Sequence, residues 1–214
     1  MNERPARVVA AFDFDGTITK RDTVLPFLVD VAGAARVASA LLRDAPELVR
    51  VALRRGDRDA VKSKLVARVL GGMSYGDVAS RGRAYAQRVV DRWLRPATVA
   101  RLRWHVAQGH DVVIVSASLD PYLHEVAKRL GVASVLCTTL EVDENGMVTG
   151  GLSGGNCRGP EKVARLQAHL DGAPASLWAY GDSSGDDELL ALADQAVRVT
   201  RRGRLVGNAS VLTR

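Results

Sequence analysis

The sequence is organised around the stretch Arg7-Val-Val-Ala-Ala-Phe-Asp-Phe-Asp-Gly-Thr-Ile-Thr19. Its apolar run, Val8 to Phe12, is short, partly β-branched and without helical periodicity, which predicts a fully buried strand. Asp13 and Asp15 follow at the carboxyl end of that strand, where open α/β sheets bind their ligands. Because two close, buried carboxylates need a compensating charge, these acids predict a bound cation.

The size and composition of the chain predict a compact globular protein. Its 214 residues, 47% of them hydrophobic, suffice for one domain with a sizeable core, or for a core with a small insert. The residues before the first strand do not resemble a signal peptide, and the most apolar stretch, residues 24–42, is interrupted by proline, charge and glycine. Cys137 and Cys157 form neither a CxxC pair nor a disulfide scaffold. We therefore expect a reduced, cytoplasmic protein that does not span a membrane.

The positive charge of the chain is unevenly distributed. The net charge is +6, yet residues 21–95 alone carry 15 Lys or Arg against 8 Asp or Glu. Such a basic segment indicates an anionic partner, which could be nucleic acid, a membrane surface or a small phosphate. No helix-turn-helix, zinc-finger or RNA-binding aromatic signature is present, so we do not expect nucleic acid.

Residues 21–95 show helical patterns and no strand pattern. Asp44-Ala-Pro46 interrupts a first helical pattern and restarts it, with proline near the start of a helix. Asp57 is placed to cap a helix over residues 58–70, and Ser74 is placed to cap the next helix. The segment is therefore predicted to be an all-helical insert.

Strand and helix patterns alternate from residue 96 onward. Helices are predicted at 96–108, 120–131, 159–170 and 186–193, and strands at 111–116, 133–137, 140–142, 147–149, 175–180 and, as the last strand, 196–199. Asp143-Glu-Asn-Gly146 joins two of these strands in a hairpin. The alternation predicts an α/β core with a parallel sheet and helices on both faces, formed by residues 1–20 and 96–214.

Three further groups of polar residues lie at strand ends or helix starts of this core. Ser116 and Ser118 follow a strand and are equally suited to hold phosphate oxygens or to cap the next helix. Lys162 lies in the first turn of a helix, where it opposes the helix dipole. Alone it is best interpreted as a surface lysine, although the unfavourable interaction with the helix dipole would be offset by an anion or carboxylate nearby. Asp182 and Asp186 span a glycine-containing turn, and helix capping explains Asp186 better than Asp182.

Together these groups resemble, in order, the four motifs of the haloacid dehalogenase-like superfamily. The motifs are Asp13-Phe-Asp-Gly-Thr17, Ser116, Lys162 and Asp182-Ser-Ser-Gly-Asp186. A helical insert directly after the first motif resembles the helical-cap subfamily. The stretches 13–23, 112–118, 156–163 and 181–190 are similar to its phosphoserine phosphatase branch. The resemblance implies a doubly wound, Rossmann-like α/β core with residues 21–95 as a helical cap domain.

The resemblance also implies the reaction of a Mg²⁺-dependent phosphatase. Asp13 would attack phosphorus and form an aspartyl-phosphate. Asp15 would start protonated, donate its proton to the leaving oxygen, and then accept one from the hydrolysing water. Asp13, the backbone carbonyl of Asp15, and Asp182 would hold Mg²⁺, with Asp186 supporting it through water or as a further ligand.

The remaining motif residues would bind the phosphate. The resemblance implies that Ser116 and Lys162 contact the phosphoryl oxygens, that Lys162 also offsets the charge of Asp13, and that Thr17 orients the loop of this phosphate site. The expected partner is therefore a small-molecule phosphate monoester.

The substrate itself is less closely specified, because the chain departs from the branch at several positions. Asp22 occupies the place of an acid that faces the substrate amino group in the family, and a helix N-cap is an equal alternative. Ala117-Ser118 replaces a Gly-Gly pair beside the motif-two serine. Lys62 and Lys64 are the nearest candidates for a cap arginine that binds the substrate carboxylate, or are solvated surface residues. These departures preserve phosphatase chemistry while weakening the case for phosphoserine.

Three functions follow from this pattern. The favoured one is a Mg²⁺ phosphomonoesterase acting on phosphoserine or on another amino-bearing phosphate such as histidinol phosphate. The second is a phosphatase for lipid phosphates, with the face formed by residues 25–42 near a membrane. The third is a catalytically silent module whose basic insert binds an anionic partner, against which the intact set of Asp13, Asp15, Lys162 and Asp182 argues.

Overall fold

The computed structural model of the protein describes residues 7–53, 55–172 and 176–207. The strands are β1 (Val8–Phe12), β2 (Asp111–Leu119), β3 (Ser134–Val142), β4 (Val148–Ser153), β5 (Ser176–Gly181), β6 (Gln195–Val199) and β7 (Leu205–Gly207). The helices are α1 (Val24–Ala32), α2 (Ala34–Arg43), α3 (Ala45–Ala52), α4 (Arg58–Leu70), α5 (Tyr75–Arg92), α6 (Pro96–Ala107), α7 (Asp120–Leu130), α8 (Pro160–Leu170) and α9 (Asp187–Leu192), with a 3₁₀ turn at Ser184–Asp186.

One sheet contains all of these strands, in the order β4-β3-β2-β1-β5-β6-β7. β1 lies at its centre and pairs in parallel with β2 and β5, while β3 and β6 extend the parallel region on either side. The predicted α/β fold is confirmed. The predicted hairpin is confirmed, because β4 pairs antiparallel with β3 at one edge of the sheet, and at the other edge β7 adds an antiparallel strand that the sequence did not predict.

The central strand is buried on both faces, as its sequence predicts. Ala10 and Phe12 join the larger apolar cluster on one face of the sheet, whereas Val9 and Ala11 join a second cluster on the other face. Alternate residues of a strand point to opposite faces, so helices must cover both sides. This burial brings the loop after β1 to the middle of the carboxyl edge of the sheet.

Several strands differ from the predictions: β2 and β4 continue to Leu119 and Ser153, beyond the predicted ends at residues 116 and 149. β3 runs unbroken to Val142, although residues 133–137 and 140–142 are predicted as separate strands. Thr138 and Thr139 connect the two predicted strands. Their polar side chains interrupt the apolar pattern of the sequence, but both residues are β-branched and therefore suited to an extended backbone. β7 follows β6, which was the predicted last strand. Residues 1–6, 173–175 and 208–214 of the predicted core lie outside the described residues.

The segment between β1 and α6 forms α1 to α5, and its described residues include no named strand. Asp57 caps α4 as predicted, accepting hydrogen bonds from the backbone N–H of Asp59 at 2.8 Å and Ala60 at 3.2 Å. Ser74 occupies the N-cap position of α5 without a side-chain hydrogen bond. The first predicted helix is divided, because Gly33 adopts a φ of 83° between α1 and α2. That the insert is a separate cap domain stays a prediction.

The insert packs closely onto the core through α5 and α7. A Cβ atom at Gly82 of α5 would collide with the backbone carbonyl of Pro121 in α7, so glycine permits this approach. Phe27 and Tyr85 of the insert pack against Tyr122 of the core in tilted and edge-to-face contacts, with ring centroids 4.8 and 5.2 Å from it. These contacts hold α1 and α5 beside the carboxyl edge of the sheet.

Two predictions about the chemical setting can be compared with the fold. Cys137 and Cys157 are both free and buried. No helix within the described ranges has the length and apolar character needed to cross a bilayer.

Candidate active site

A cleft of about 900 Å³ opens at the carboxyl ends of β1, β2 and β5. Six side chains line its base and are called the floor here: Asp13, Asp15, Ser116, Lys162, Asp182 and Asp186. All six were predicted from sequence, and the structure brings them together from four separate segments of the chain. Asp22 and Lys62 also line the cleft, whereas Thr17, Lys64 and Ser118 are not among the described residues that line it.

The loop after β1 turns sharply to place its acids on the floor. Gly16 adopts a φ of 82°, and a Cβ atom there would collide with the carboxylate of Asp182. Glycine is therefore required both by the left-handed backbone and by the close approach of the second acid. Arg95 stabilises the conformation of this loop, because its Nε donates to the carbonyls of Gly16 and Thr19 at 2.9 Å each.

Lys162 lies between two acids of the floor. Its Nζ is 2.6 Å from Oδ1 of Asp13 and 2.6 Å from Oδ1 of Asp186, and all three side chains are almost fully buried. Burial lowers the pKa of Lys162, but the two carboxylates outweigh it and hold the pKa above its usual range. This pair of acids explains why a lysine is tolerated in the first turn of α8, where the helix dipole opposes it.

The charge on the floor fits a divalent cation. Carboxylate oxygens of Asp13, Asp182 and Asp186 all lie within 4.8 Å of one another. Burial raises the pKa of Asp13 to about 7, with Lys162 opposing and Asp186 adding to that rise. Three close carboxylates share one lysine, which leaves an excess of negative charge that oxygen-preferring Mg²⁺ would neutralise. The residues present therefore fit the predicted metal.

Asp186 also organises the loop that carries Asp182. Its Oδ2 accepts hydrogen bonds from the backbone N–H of Asp182 at 3.2 Å, and from the N–H and hydroxyl of Ser183 at 3.0 and 3.1 Å. These bonds stabilise the 3₁₀ turn Ser184–Asp186, which leads into the predicted helix, α9, one residue after its predicted start. Asp186 thus holds both Lys162 and the loop in place.

Asp15 occupies a different environment from Asp13. Its carboxylate accepts hydrogen bonds from Thr23 at 2.6 Å and Ser118 at 2.8 Å, and the hydroxyls of Thr23 and Tyr122 lie 2.8 Å apart. Burial, and next the charge of Asp22, raise the pKa of Asp15 to about 8 despite these two hydrogen bonds. At neutral pH this side chain is therefore mostly protonated and able to donate a proton.

Thr17 was predicted to orient the loop after β1, but the side-chain hydrogen bonds that order this loop come from another threonine. Thr19, rather than Thr17, makes the side-chain bonds that order the loop, accepting from the Gly16 N–H at 3.3 Å and donating to the Arg21 carbonyl at 2.7 Å. Thr17 Oγ1 is buried and has no hydrogen-bond partner among the described residues. A phosphate contact by Thr17 stays a prediction. Ser116 is buried at the floor, and its Oγ accepts from the Ser118 N–H at 3.1 Å.

Sequence reasoning missed Thr19, Thr23 and Arg95, although the signals were present. Both threonines fall within the 13–23 stretch, at short spacing from the acids that they support. Arg95 lies at the predicted end of the insert and is only 8% exposed, and its hydrogen bonds to backbone carbonyls explain why an arginine is tolerated there. Its hydrogen bonds to loop carbonyls require the fold to be known.

The candidate substrate contacts are only partly brought to the cleft. Asp22 is exposed there, and its Oδ1 accepts from the Leu25 N–H in the first turn of α1 at 3.1 Å, although Thr23 rather than Asp22 occupies the N-cap position. Lys62 donates to the carbonyl of Ala117 and, at 2.6 Å, to Oδ1 of Asn156. Burial lowers the pKa of Lys62 to about 8.

Lys64 points to another part of the insert. Its Nζ pairs with the Glu47 carboxylate at 2.6 Å. The pair lies on an exposed surface, so the structure gives no support to Lys64 as a substrate contact.

Comparisons with known proteins agree with this geometry. A family model described as haloacid dehalogenase-like hydrolase matches residues 10–191. Protein CicA of Caulobacter vibrioides is 38% identical over 188 residues, which cover 88% of this chain and 84% of that protein.

Solved structures also share the fold. A protein of unknown function from Bordetella pertussis Tohama I has a TM-score of 0.78 at 23% identity, covering 91% of this chain and 90% of that one. A phosphoserine phosphatase, described as a phospho-aspartyl intermediate analogue, has a TM-score of 0.60 at 16% identity, covering 91% and 87%. At these identities the likeness establishes a common fold.

Proposed function

The chain belongs to the haloacid dehalogenase-like hydrolases, and within that family we propose that it is a Mg²⁺-dependent phosphomonoesterase acting on a small phosphorylated molecule. The observation that carries this proposal is the contrast between its first two acids. Asp13 lies 2.6 Å from a buried lysine, whereas Asp15 is bound by hydroxyl groups and has a pKa raised to about 8. A carboxylate paired with a lysine suits a nucleophile, and a carboxyl group held by hydroxyl groups and buried away from that lysine suits a general acid.

The reaction proceeds in two displacements on phosphorus. Asp13 attacks the phosphorus atom, the bond to the alcohol oxygen breaks, and Asp15 donates its proton to that oxygen. Asp15, now ionised, accepts a proton from water as the water attacks the aspartyl-phosphate. Inorganic phosphate leaves, and Asp13 and Asp15 return to their starting states.

Charge compensation comes from the rest of the floor. Bound Mg²⁺ would reduce the repulsion between a carboxylate and an anionic phosphate, and the side chains of Asp13 and Asp182 with the carbonyl of Asp15 would hold it. Lys162 contacts Asp13 and is placed to stabilise negative phosphoryl oxygens. Ser116, buried beside them, is the proposed hydroxyl donor to the phosphate.

Phosphoserine and other amino-bearing phosphates, such as histidinol phosphate, remain within this proposal. Support comes from the fold shared with a phosphoserine phosphatase and from the exposed carboxylate of Asp22 in the cleft. Lys62, the candidate for the substrate carboxylate, already bonds to Asn156 and Ala117. This engagement favours an alcohol without a free carboxylate.

A panel of phosphate esters tests the proposal. We expect the purified protein to release inorganic phosphate from p-nitrophenyl phosphate with Mg²⁺ and to stop when the metal is chelated by EDTA. Phosphoserine, histidinol phosphate, sugar phosphates and lysophosphatidate compared by kcat/KM would then rank the alcohols. Release of no phosphate from any ester would contradict the proposal and favour an anion-binding role for the basic insert.

A further inference from the structure

Part of the lining of the cleft is apolar. Six side chains from α1 to α4 and the segments beside them form what is called the apolar wall: Val24, Leu25, Leu41, Leu48, Val61 and Leu65. None of the six is fully buried, and Leu25 is 41% exposed. The wall therefore presents accessible hydrocarbon to the same space that holds the catalytic acids.

Folding alone does not account for the wall. α3, which carries Leu48, contributes no buried residue. Val24, Leu41 and Leu65 pack partly against the main apolar cluster, whereas neither Leu48 nor Val61 is among the described residues that pack on it. Apolar side chains gathered in a concave site but left open to water are characteristic of ligand pockets.

Several charged groups that line the cleft are occupied by protein partners. Lys62 and Asp59 both bond to Asn156, at 2.6 and 2.7 Å. Arg21 lies over the ring of Trp93, with 3.9 Å between the guanidinium carbon and the ring centroid. A substrate alcohol would thus meet hydrocarbon beside three charged side chains that already have partners, Lys62, Asp59 and Arg21.

On the basis of the proposed phosphatase function, we infer that the substrate alcohol carries an aliphatic chain that lies along the apolar wall. Its phosphate would be held at Asp13 and Lys162, on the floor of the same cleft. The volume of about 900 Å³ is near the upper end of the range for small-molecule pockets and exceeds what a three-carbon amino acid alcohol requires. The chemical class is a single-chain amphiphilic phosphate monoester.

A series of n-alkyl phosphates from ethyl to octyl, each below its micelle concentration, measures the contribution of the wall. Each methylene buried on it should raise kcat/KM by about two- to fourfold, which gives at least about 60-fold between ethyl and octyl phosphate. A flat series would overturn the inference, as would a higher kcat/KM for phosphoserine than for octyl phosphate.

A matched pair of leucine variants assigns the effect to the wall. Leu48→Asn changes a wall residue on a helix without buried residues, so the fold should tolerate it. Leu42→Asn changes a leucine that is 76% exposed and is not among the described residues lining the cleft. We expect Leu48→Asn to reduce the octyl-to-ethyl ratio at least about fivefold and Leu42→Asn to leave it unchanged. Equal ratios in both variants would overturn the inference.

Offering the substrate either in a lipid vesicle or in water distinguishes a membrane lipid from a water-soluble amphiphile as the source of the aliphatic chain. Vesicles of phosphatidylcholine containing lysophosphatidate offer the same chemistry at a lipid surface, whereas octyl phosphate offers it in water. Turnover in vesicles assigns a lipid source. Turnover of octyl phosphate without turnover in vesicles assigns a water-soluble amphiphile. Both results support the aliphatic class, and failure of both long-chain esters beside active ethyl phosphate would overturn it.

A binding measurement distinguishes failure of this inference from failure of the proposed reaction. Alkyl phosphonates cannot be hydrolysed at their carbon–phosphorus bond, so their effect on the unfolding temperature does not depend on turnover. We expect octyl phosphonate with Mg²⁺ to raise the Tm more than ethyl phosphonate does, and Leu48→Asn to remove the difference. Absence of hydrolysis with this chain-length dependence would reject only the reaction, whereas equal Tm shifts would reject the apolar site.

Discussion

The floor of the cleft and the apolar wall differ in what surrounds their side chains. On the floor the first two acids have short polar contacts: Asp13 bonds to Lys162 at 2.6 Å, and Asp15 bonds to Thr23 at 2.6 Å. On the wall, Leu48 and Val61 are half-buried hydrocarbon. Short polar contacts fix the positions of reacting groups, whereas the affinity of a hydrocarbon surface depends on the apolar area that is buried and not on a particular orientation. The two regions can therefore be perturbed independently.

Lys62 is the point at which the two regions meet. Its side chain extends from α4, which also carries wall residues. Its Nζ donates to the carbonyl of Ala117 and to Oδ1 of Asn156. Ser116 and Ser118 flank that carbonyl. Lys62 thus ties the position of the insert to the position of the phosphate site.

The largest expected effect is the loss of the nucleophile on the floor. Asp13→Asn should lower kcat for p-nitrophenyl phosphate by at least roughly 10⁴-fold, because an amide cannot attack phosphorus as a carboxylate does. Asp91→Asn, an exposed acid of the insert, serves as the control and should retain full activity. Activity of Asp13→Asn within tenfold of the parent protein would break the assignment of the floor.

Loss of an acid from the proposed metal site should have the next largest effect. Asp182→Asn should raise the Mg²⁺ concentration needed for half-maximal activity by at least about tenfold, since a charged ligand becomes neutral. The measurement is a Mg²⁺ titration of ethyl phosphate hydrolysis after treatment with EDTA. An unchanged midpoint would place the metal elsewhere.

The connection between the floor and the wall should have a moderate effect. Lys62→Met should lower kcat/KM for alkyl phosphates about tenfold, as expected for removing a charged group that makes two hydrogen bonds. Lys64→Met is a matched control, because Lys64 pairs with Glu47 on an exposed surface and should change kcat/KM little. Equal losses in the two variants would show that Lys62 does not act through Ala117 and Asn156.

The smallest effects concern the proton of Asp15. Since Asp15 acts as the acid while protonated and its pKa is raised to about 8, kcat/KM for ethyl phosphate should fall as the pH rises above that value. Ser118→Ala removes a hydrogen bond that favours the carboxylate, so it should move this fall to higher pH.

Asp22→Asn should move the same fall in activity in the opposite direction. The variant removes a negative charge that raises the pKa of Asp15. The pH dependence of kcat/KM for ethyl phosphate measures both shifts. Movement in the same direction for Ser118→Ala and Asp22→Asn would contradict Asp15 as the acid.

The sequence predicts the floor better than the wall because the floor residues follow strand patterns. Asp13, Ser116 and Asp182 each come at or near the end of an apolar run, so strand order places them at one edge. The position of Lys162 in the first turn of a helix, where it opposes the helix dipole, predicts a nearby anion or carboxylate. Asp13 and Asp186 are the carboxylates that pair with it. Wall residues lie on helices, where an apolar residue facing a cleft has the same spacing as one facing the core.

Other misses have equally local causes. The division of the first insert helix depends on a single glycine, Gly33, whose φ of 83° is not evident from an otherwise helical pattern. β7 has only three residues, Leu205–Gly207, and exists because β6 offers an open edge. The roles of Thr19 and Thr23 depend on turns of the chain that bring them back to Phe14 and Asp15. Such tertiary contacts are not encoded in spacing alone.

The central claim, that Asp13 carries the phosphoryl group during turnover, has a direct measurement. Protein mixed with Mg²⁺ and p-nitrophenyl phosphate would be quenched rapidly in acid, digested with pepsin at low pH to preserve the acyl phosphate, and analysed by mass spectrometry. We predict a phosphoryl group on the peptide that contains Asp13, located at that residue by fragmentation, formed at least as fast as kcat and absent in Asp13→Asn. Steady turnover with no phosphoryl group on this peptide, or with one on any other residue, would contradict the account.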